Sequence, residues 1–96
     1  MDKKYIVTRY DNEDNNEVKS FEFLSYDEAS KFIRTLFANY IKEAVLYEET
    51  EIDRDKTYEP CYEDNKINPY SVLTYSNGSK IEFFFSETFD STKENI

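Results

Sequence analysis

The side chains that could do chemistry are concentrated between positions 47 and 70, which hold eight carboxylates and three bases. That quarter of the chain carries five of the nine net negative charges of the 96-residue protein. Four of its carboxylates alternate, at Glu49, Glu51, Asp53 and Asp55. In an extended stretch these side chains point to one side at intervals of about 6.6–6.8 Å. That interval is close to the spacing of phosphates along a nucleic-acid strand, so the row could pair with Arg and Lys that normally hold phosphates.

A second acidic cluster, DNEDNNE, occupies residues 11–17 and has four carboxylates with no base between them. Tyrosines interleave with the acid in the longer segment, and Tyr is a frequent interface anchor, whereas acid contributes more to association rate than to affinity. We therefore predict that both segments contact a partner. The predicted partner-binding residues are Asp11, Glu13, Asp14, Glu17, Glu48, Glu49, Glu51, Asp53, Asp55, Tyr58, Glu59, Tyr62, Glu63 and Asp64.

The composition offers few residues that are suited to catalysis. The chain has no His, which removes the commonest general base and every His-dependent triad. Its single Gly excludes a Gly-rich phosphate loop. Cys61 lies among carboxylates with no base to activate it, so we predict an unreactive thiol. Carboxylate pairs of the glycosidase type need a cleft that a domain of this size rarely offers. We predict a protein that is not an enzyme and has no catalytic residue.

A calcium loop is the metal site that the spacing comes nearest to. Asp11, Glu13 and Asn15, with Glu22 at the twelfth place, resemble an EF-hand loop. The required Gly is replaced by Asn16, and predicted strands flank the loop in place of helices. We therefore predict no metal site and no cofactor, and we keep calcium binding as a third alternative.

Length and composition predict one domain over residues 1–89, followed by a frayed polar tail over residues 90–96. Nine Tyr and eight Phe are typical of a folded chain. The N-terminus lacks the apolar run of a signal peptide, and no segment could span a bilayer, so we expect a cytoplasmic protein. A net charge of −9 disfavours nucleic acid and anionic membranes as direct partners and favours a basic protein. The oligomeric state stays open.

The first half of the chain predicts a hairpin followed by a helix. Residues 3–10 and 18–24 are rich in β-branched and aromatic types and flank a polar turn. Ser25 and Glu28 have the spacing of a capping box, and an apolar stripe at helical spacing follows it. The pattern allows this helix to end near Asn39 or to continue to about Glu48, and residues 44–50 could alternatively form a short strand.

The second half predicts a long, partly ordered acidic loop over residues 51–69 and then a hairpin around Asn77-Gly78. A two-residue turn there places Thr74 opposite Ile81. In that register Tyr70, Val72 and Thr74 share the core face with Ile81, Phe83 and Phe85, while Leu73, Tyr75 and Phe84 lie on the other face. The predicted fold is α+β, in the order β-β-α-(acidic loop)-β-β. It is an antiparallel sheet of about four strands, formed by two hairpins, with one main helix on one face.

At class level, the acid-rich loops DNEDNNE and EETEIDRDKTYE, the short length and the α+β pattern resemble the small acidic inhibitors made by phages and mobile elements, including anti-CRISPR proteins and other DNA mimics. The resemblance implies a non-enzymatic inhibitor that blocks a basic nucleic-acid-binding protein or nuclease. Immunity proteins that neutralise toxic nucleases fit the same description. The alternative from a different class is a structural or adaptor module, such as a homodimer formed through the aromatic sheet face of Leu73, Tyr75 and Phe84.

Overall fold

The computed structural model describes residues 3–12, 16–47 and 51–89. One helix packs on one face of a four-stranded antiparallel sheet with strand order β2-β1-β6-β5, which confirms the predicted α+β fold. A two-stranded hairpin lies apart from that sheet. In chain order the elements are β1 (Lys3–Asp11), β2 (Glu17–Phe23), α1 (Tyr26–Tyr47), a 3₁₀ turn (Arg54–Lys56), β3 (Tyr62–Glu63), β4 (Lys66–Ile67), β5 (Tyr70–Thr74) and β6 (Lys80–Phe89).

Helix α1 begins where the sequence predicts it. The Ser25 hydroxyl accepts a hydrogen bond from the Glu28 amide at 3.3 Å, which satisfies one of the free N–H groups of the first turn. Asp27 and Glu28 place negative charge at the positive end of the helix dipole. The helix continues to Tyr47, close to the longer of the two ends that the pattern allows. Residues 44–47 are therefore helical and do not form the alternative short strand, and residues 48–50 lie outside the described residues.

The apolar stripe of α1 forms the helix side of the core. Ala29, Ile33 and Phe37 are buried, and the Phe37 ring lies 5.6 Å from that of Phe83 in the sheet. Below the helix, Val7 on β1, Phe83 on β6 and Leu73 on β5 are fully buried. The buried core residues are Val7, Ala29, Ile33, Phe37, Ile67, Leu73, Tyr75, Ile81, Phe83 and Phe85.

The register of the second hairpin differs by one residue from the predicted one. The Tyr75 amide bonds to the Ser79 carbonyl at 2.8 Å, so the loop holds three residues, and Leu73 lies opposite Ile81. Gly78 closes this loop with φ of +95°, a conformation that side chains with a Cβ rarely adopt. A shift of one residue turns a whole strand over.

The assignment of β5 side chains to faces is therefore reversed. Leu73 and Tyr75, predicted on the outer face, are buried in the core. Tyr70, Val72 and Thr74, predicted in the core, belong to the face turned away from the helix, which we call the open face. On β6 the prediction holds, because Ile81, Phe83 and Phe85 are buried and Phe84 is exposed.

Arg9 ties the end of the first hairpin to the helix. Its guanidinium donates to the Tyr40 hydroxyl at 2.7 Å and to the Glu17 carboxylate. The Arg9 side chain is only 13% exposed, so these two partners, more than water, stabilise its positive charge. Lys19 also lies 3.3 Å from Glu17. The hydrogen bond from Lys19, together with the charges of Lys19 and Arg9, lowers the pKa of Glu17 below its ordinary value of 4.5, against a smaller opposing effect of burial.

We expect Glu17 to make folding pH-dependent. A carboxylate whose pKa is lowered by folding contributes its full stability above 4.5 and loses it as the pH falls through the lowered value. The variant Glu17→Gln should therefore be less stable than the wild type at neutral pH, and the difference should shrink as the medium is acidified. Urea denaturation over this pH range measures the effect, with Glu43→Gln on the exposed face of α1 as the control. A difference that stays constant with pH would contradict the assignment.

Candidate functional site

Residues 51–58, which we call the edge segment, lie along the outer edge of β5. The Asp53 amide bonds to the Thr74 carbonyl at 2.8 Å, and Tyr58 and Val72 exchange both backbone bonds at 2.8 and 2.9 Å. The Ser76 amide bonds to the Glu51 carbonyl at 2.7 Å. The prediction of a long loop misses this pairing, which holds the acidic stretch against the sheet as an interrupted fifth strand.

The predicted row of four alternating carboxylates is wrong. Ile52 pairs with Tyr75 and Tyr58 pairs with Val72, so five residues of the edge segment face two residues of β5. The surplus residues form the 3₁₀ turn Arg54–Lys56, which takes Asp55 out of the extended alternation. Glu49, the first member of the row, lies outside the described residues.

Thr57 fastens the edge segment at this bulge. Its hydroxyl accepts a hydrogen bond from the Thr74 amide at 3.1 Å and donates to the Asp53 carbonyl at 2.8 Å. The Thr74 hydroxyl donates in turn to the Lys56 carbonyl at 2.6 Å. These side chains replace the backbone partners that the bulge removes, so the acidic residues around them have a fixed backbone.

The second part of the acidic stretch forms the β3–β4 hairpin, which packs on α1. Asp64 and Asn65 form its turn with positive φ angles of 49° and 64°, a conformation that Asp and Asn tolerate better than most residues. Ile67 is buried, and its amide donates to the Tyr26 hydroxyl at 2.6 Å. The Tyr62 hydroxyl donates to Ser30 at 3.0 Å. Adjacent Asp and Asn before a lone Ile are the sequence signal that could have revealed this hairpin.

The carboxylates of this stretch differ from those of the sheet. The carboxylates of Glu17, Glu22, Glu82 and Glu87 on the strands each lie within 4.0 Å of a lysine or arginine nitrogen. Within the described residues, the six carboxylates between positions 51 and 64 have no basic side chain at that distance. We call these six the acidic edge: Glu51, Asp53, Asp55, Glu59, Glu63 and Asp64.

The acidic edge keeps most of its side chains in solvent. Asp53 is half-buried, and the other five are exposed. Two predicted anchors lie among them: Tyr58 is 62% exposed and Tyr62 is 44% exposed. Of the eight predicted partner-binding residues in this stretch, four lie on the edge segment beside β5, and the other four lie at or near the β3–β4 hairpin on α1. Glu48 and Glu49 lie outside the described residues.

Asp11, where the first acidic loop begins, lies at the same end of the strands as Asp53 but towards the opposite edge of the sheet. Asp11 on β1 pairs with Ile81 on β6, and Ile81 pairs with Leu73 on β5. The edge segment follows beyond β5, where its Asp53 amide donates a hydrogen bond to the Thr74 carbonyl. Three strand spacings, about 14 Å, therefore separate Asp11 from the edge segment. Glu17 is held by Arg9 and Lys19, so its charge is already compensated. Glu13 and Asp14 lie outside the described residues.

A shallow cleft of about 430 Å³ opens on the open face beside the edge segment. Tyr58 and Tyr70 line it, and the Tyr70 ring lies 5.3 Å from that of Phe84. The Tyr70 hydroxyl donates to Glu82 at 2.8 Å, and burial together with this carboxylate raises the pKa of Tyr70 to about 12, so the phenol stays protonated. Tyr70 is not among the predicted site residues, because the predicted register of the second hairpin places its side chain in the core.

Other chemistry is sparse in the part of the chain that the structure describes. It contains no group of three or more metal-ligating side chains. Cys61 is exposed, and its sulfur accepts a hydrogen bond from the Asn68 side chain at 3.1 Å. Among the described helices, none is long and apolar enough to cross a membrane.

Comparisons of the chain with protein-family models, curated proteins and solved structures found no match.

We predict that Thr57 is required for the fixed geometry of the acidic edge. Thr57→Val keeps the shape of the side chain but leaves the Thr74 amide without its acceptor, and should lower the free energy of unfolding by about 1–2 kcal/mol. Urea denaturation gives this number, and hydrogen exchange of the Thr74 amide should become faster. Thr35→Val, on the exposed face of α1, is the matched control. Unchanged stability and unchanged exchange would show that the clamp is dispensable.

Proposed function

We propose that the protein is a non-enzymatic inhibitor that binds a basic, nucleic-acid-handling protein through its acidic edge. The observation that carries the proposal is a set of six carboxylates that have no basic partner among the described residues, on a backbone that β5 and α1 hold in place. Such charges are available to the Arg and Lys of a partner, whereas four glutamates of the sheet already lie beside a lysine or arginine. The class-level resemblance to small acidic inhibitors of phages and mobile elements, anti-CRISPR proteins among them, points the same way.

The exposed carboxylates of α1 do not form a comparable surface. Asp27 and Glu28 lie in the first turn, and Glu43 lies fifteen residues further along, about 22 Å away. Lys31, Arg34 and other non-acidic residues cover the helix between them. Acid is therefore clustered on the edge segment and the β3–β4 hairpin, where Tyr58 and Tyr62 supply apolar contact area.

The bulge limits how closely the surface can imitate a nucleic acid. A regular row at phosphate spacing is interrupted at Arg54–Lys56, so recognition would rest on the partner's individual Arg and Lys positions. Competition with nucleic acid is expected because the same basic residues would be occupied. Steering by the acidic edge should make association fast at low salt and slower at high salt.

The experiment begins with affinity capture from a bacterial lysate, after which each retained protein is purified and its binding is measured alone. The edge variant Asp55→Asn/Glu59→Gln/Glu63→Gln should bind about tenfold more weakly, since each exposed pair contributes about 0.2–1 kcal/mol. The control variant Asp27→Asn/Glu28→Gln/Glu43→Gln has the same net charge and should bind within about twofold of the wild type. Duplex DNA or RNA should displace the partner.

Equal losses in the two variants would mean that overall charge, and not this surface, drives binding. A partner that ignores nucleic acid, or no retained protein, would count against the inhibitor function. Circular dichroism of both variants checks that the fold is intact.

The alternative function, a homodimer through the sheet, is weakened by the register of β5. Leu73 and Tyr75, two of its three predicted contacts, are buried in the core. A dimer would therefore need other side chains of the open face beside Phe84.

We expect a monomer in sedimentation velocity at micromolar concentration. A dimer that disappears in the variant Phe84→Ser would restore the homodimer as the leading function, since Phe84 is the predicted contact that remains exposed on that face.

A further inference from the structure

The cleft beside the edge segment has a floor of β5 side chains. Val72 and Thr74 form the floor and are nearly inaccessible although they belong to the open face. Tyr58 and Tyr70 line the cleft together with Asp53 of the edge segment. The cleft therefore brings two tyrosines and an aspartate together, with Lys56 and Lys80 as its other charged residues.

The charged side chains of the cleft favour a cationic ligand over an anionic one. Lys80 lies 3.7 Å from Glu82, which compensates its charge. Asp53 is half-buried and has no basic side chain within 4.0 Å among the described residues, so it is the carboxylate of the cleft that lacks a counter-ion. Lys56 also lines the cleft, but it is exposed and can turn its ammonium group to solvent.

The aromatic residues narrow the choice of cation. The face of a tyrosine ring attracts cations, and a planar guanidinium stacks on it while its N–H groups bind a carboxylate in a fork. The same molecule shows this stacking elsewhere, because the Arg34 guanidinium lies 5.3 Å from the centre of the Tyr62 ring. An ammonium group has no flat face and matches the cleft less well.

We propose that this cleft binds an arginine side chain, with the guanidinium against the Tyr58 and Tyr70 rings and forked onto the Asp53 carboxylate. The inference rests on the proposed function, for which it names the anchor: one arginine of the basic partner would enter the cleft while the acidic edge pairs with the charges around it. The methylene groups of the arginine would lie on Val72.

The test uses small probes and needs no partner. Isotope-labelled protein is titrated with capped arginine (N-acetyl-arginine-N-methylamide), with the matching capped lysine and with inorganic phosphate, and amide shifts are followed by NMR. Capped arginine should shift the amides of the edge segment and β5 at millimolar concentration and bind several-fold more tightly than capped lysine. No shift with capped arginine, or a larger shift of the same amides with phosphate, would overturn the proposal.

Three variants identify the contacts. Asp53→Asn should weaken capped-arginine binding about fivefold, because it removes the carboxylate that binds the guanidinium. Tyr58→Ser should weaken it by a similar factor, because it removes a ring on which the guanidinium stacks. Both keep the backbone pairing with β5. Lys56→Gln should tighten binding about twofold by removing a nearby like charge, whereas a site for anions would be weakened by it. Unchanged binding in Asp53→Asn, or weaker binding in Lys56→Gln, would also overturn the proposal.

The two proposals fail in different ways. If capped arginine does not bind but the edge variant still loses affinity for a purified basic partner, the cleft assignment is wrong and the proposed function stands. If capped arginine binds as expected but the edge variant and its control behave alike, the cleft assignment stands and the acidic edge is not the interface.

Discussion

The backbone of β5 imposes the constraint on which this structure depends. As the last strand of the sheet, β5 would present a row of unpaired N–H and C=O groups on its outer side, and such edges readily pair with other chains. The protein satisfies this edge with its own residues 51–58. The acidic stretch is consequently part of the fold. Its position is set by backbone bonds to Val72, Thr74 and Ser76, and not by the charges that it carries.

The groups that position the edge segment are not the groups that carry its charge. Backbone groups and the Thr57 hydroxyl hold the segment against β5, so its carboxylates are not needed to keep it there. Charges held on a fixed backbone lose less conformational freedom when they meet a partner than charges on a loose loop would. The same rigidity gives the neighbouring cleft a defined floor.

The sequence predicts the fold well because local signals agree with the tertiary packing. Ser25 with Glu28, and the stripe from Ala29 through Phe37, define a helix whose apolar face needs a sheet. The sequence does not predict the register of the second hairpin, because Asn77-Gly78 suits a two-residue turn as well as a longer loop. The choice between them depends on which face of β5 suits the core, and that is decided by packing against α1.

The site was predicted less completely for a related reason. Composition identified the acidic stretch and Tyr58, but residues 51–69 have no periodicity that would reveal pairing with a strand that comes later in the chain. The bulge at Arg54–Lys56 follows from the lengths of two segments between fixed pairings, which no local pattern encodes. Tyr70 was missed because its face depends on the hairpin register.

The three-residue loop at Gly78 decides which side chains of β5 form the surface. If the same residues closed a two-residue turn, Ser76 would lie opposite Ser79 and β5 would turn over, so that Val72 would point to the helix and Leu73 away from it. A change of turn type alone would thus exchange the inner and outer faces of the strand, with no substitution in the strand itself. Between related chains, the turn residues 76–78 and the alternation along β5 would therefore have to change together for one surface to replace the other.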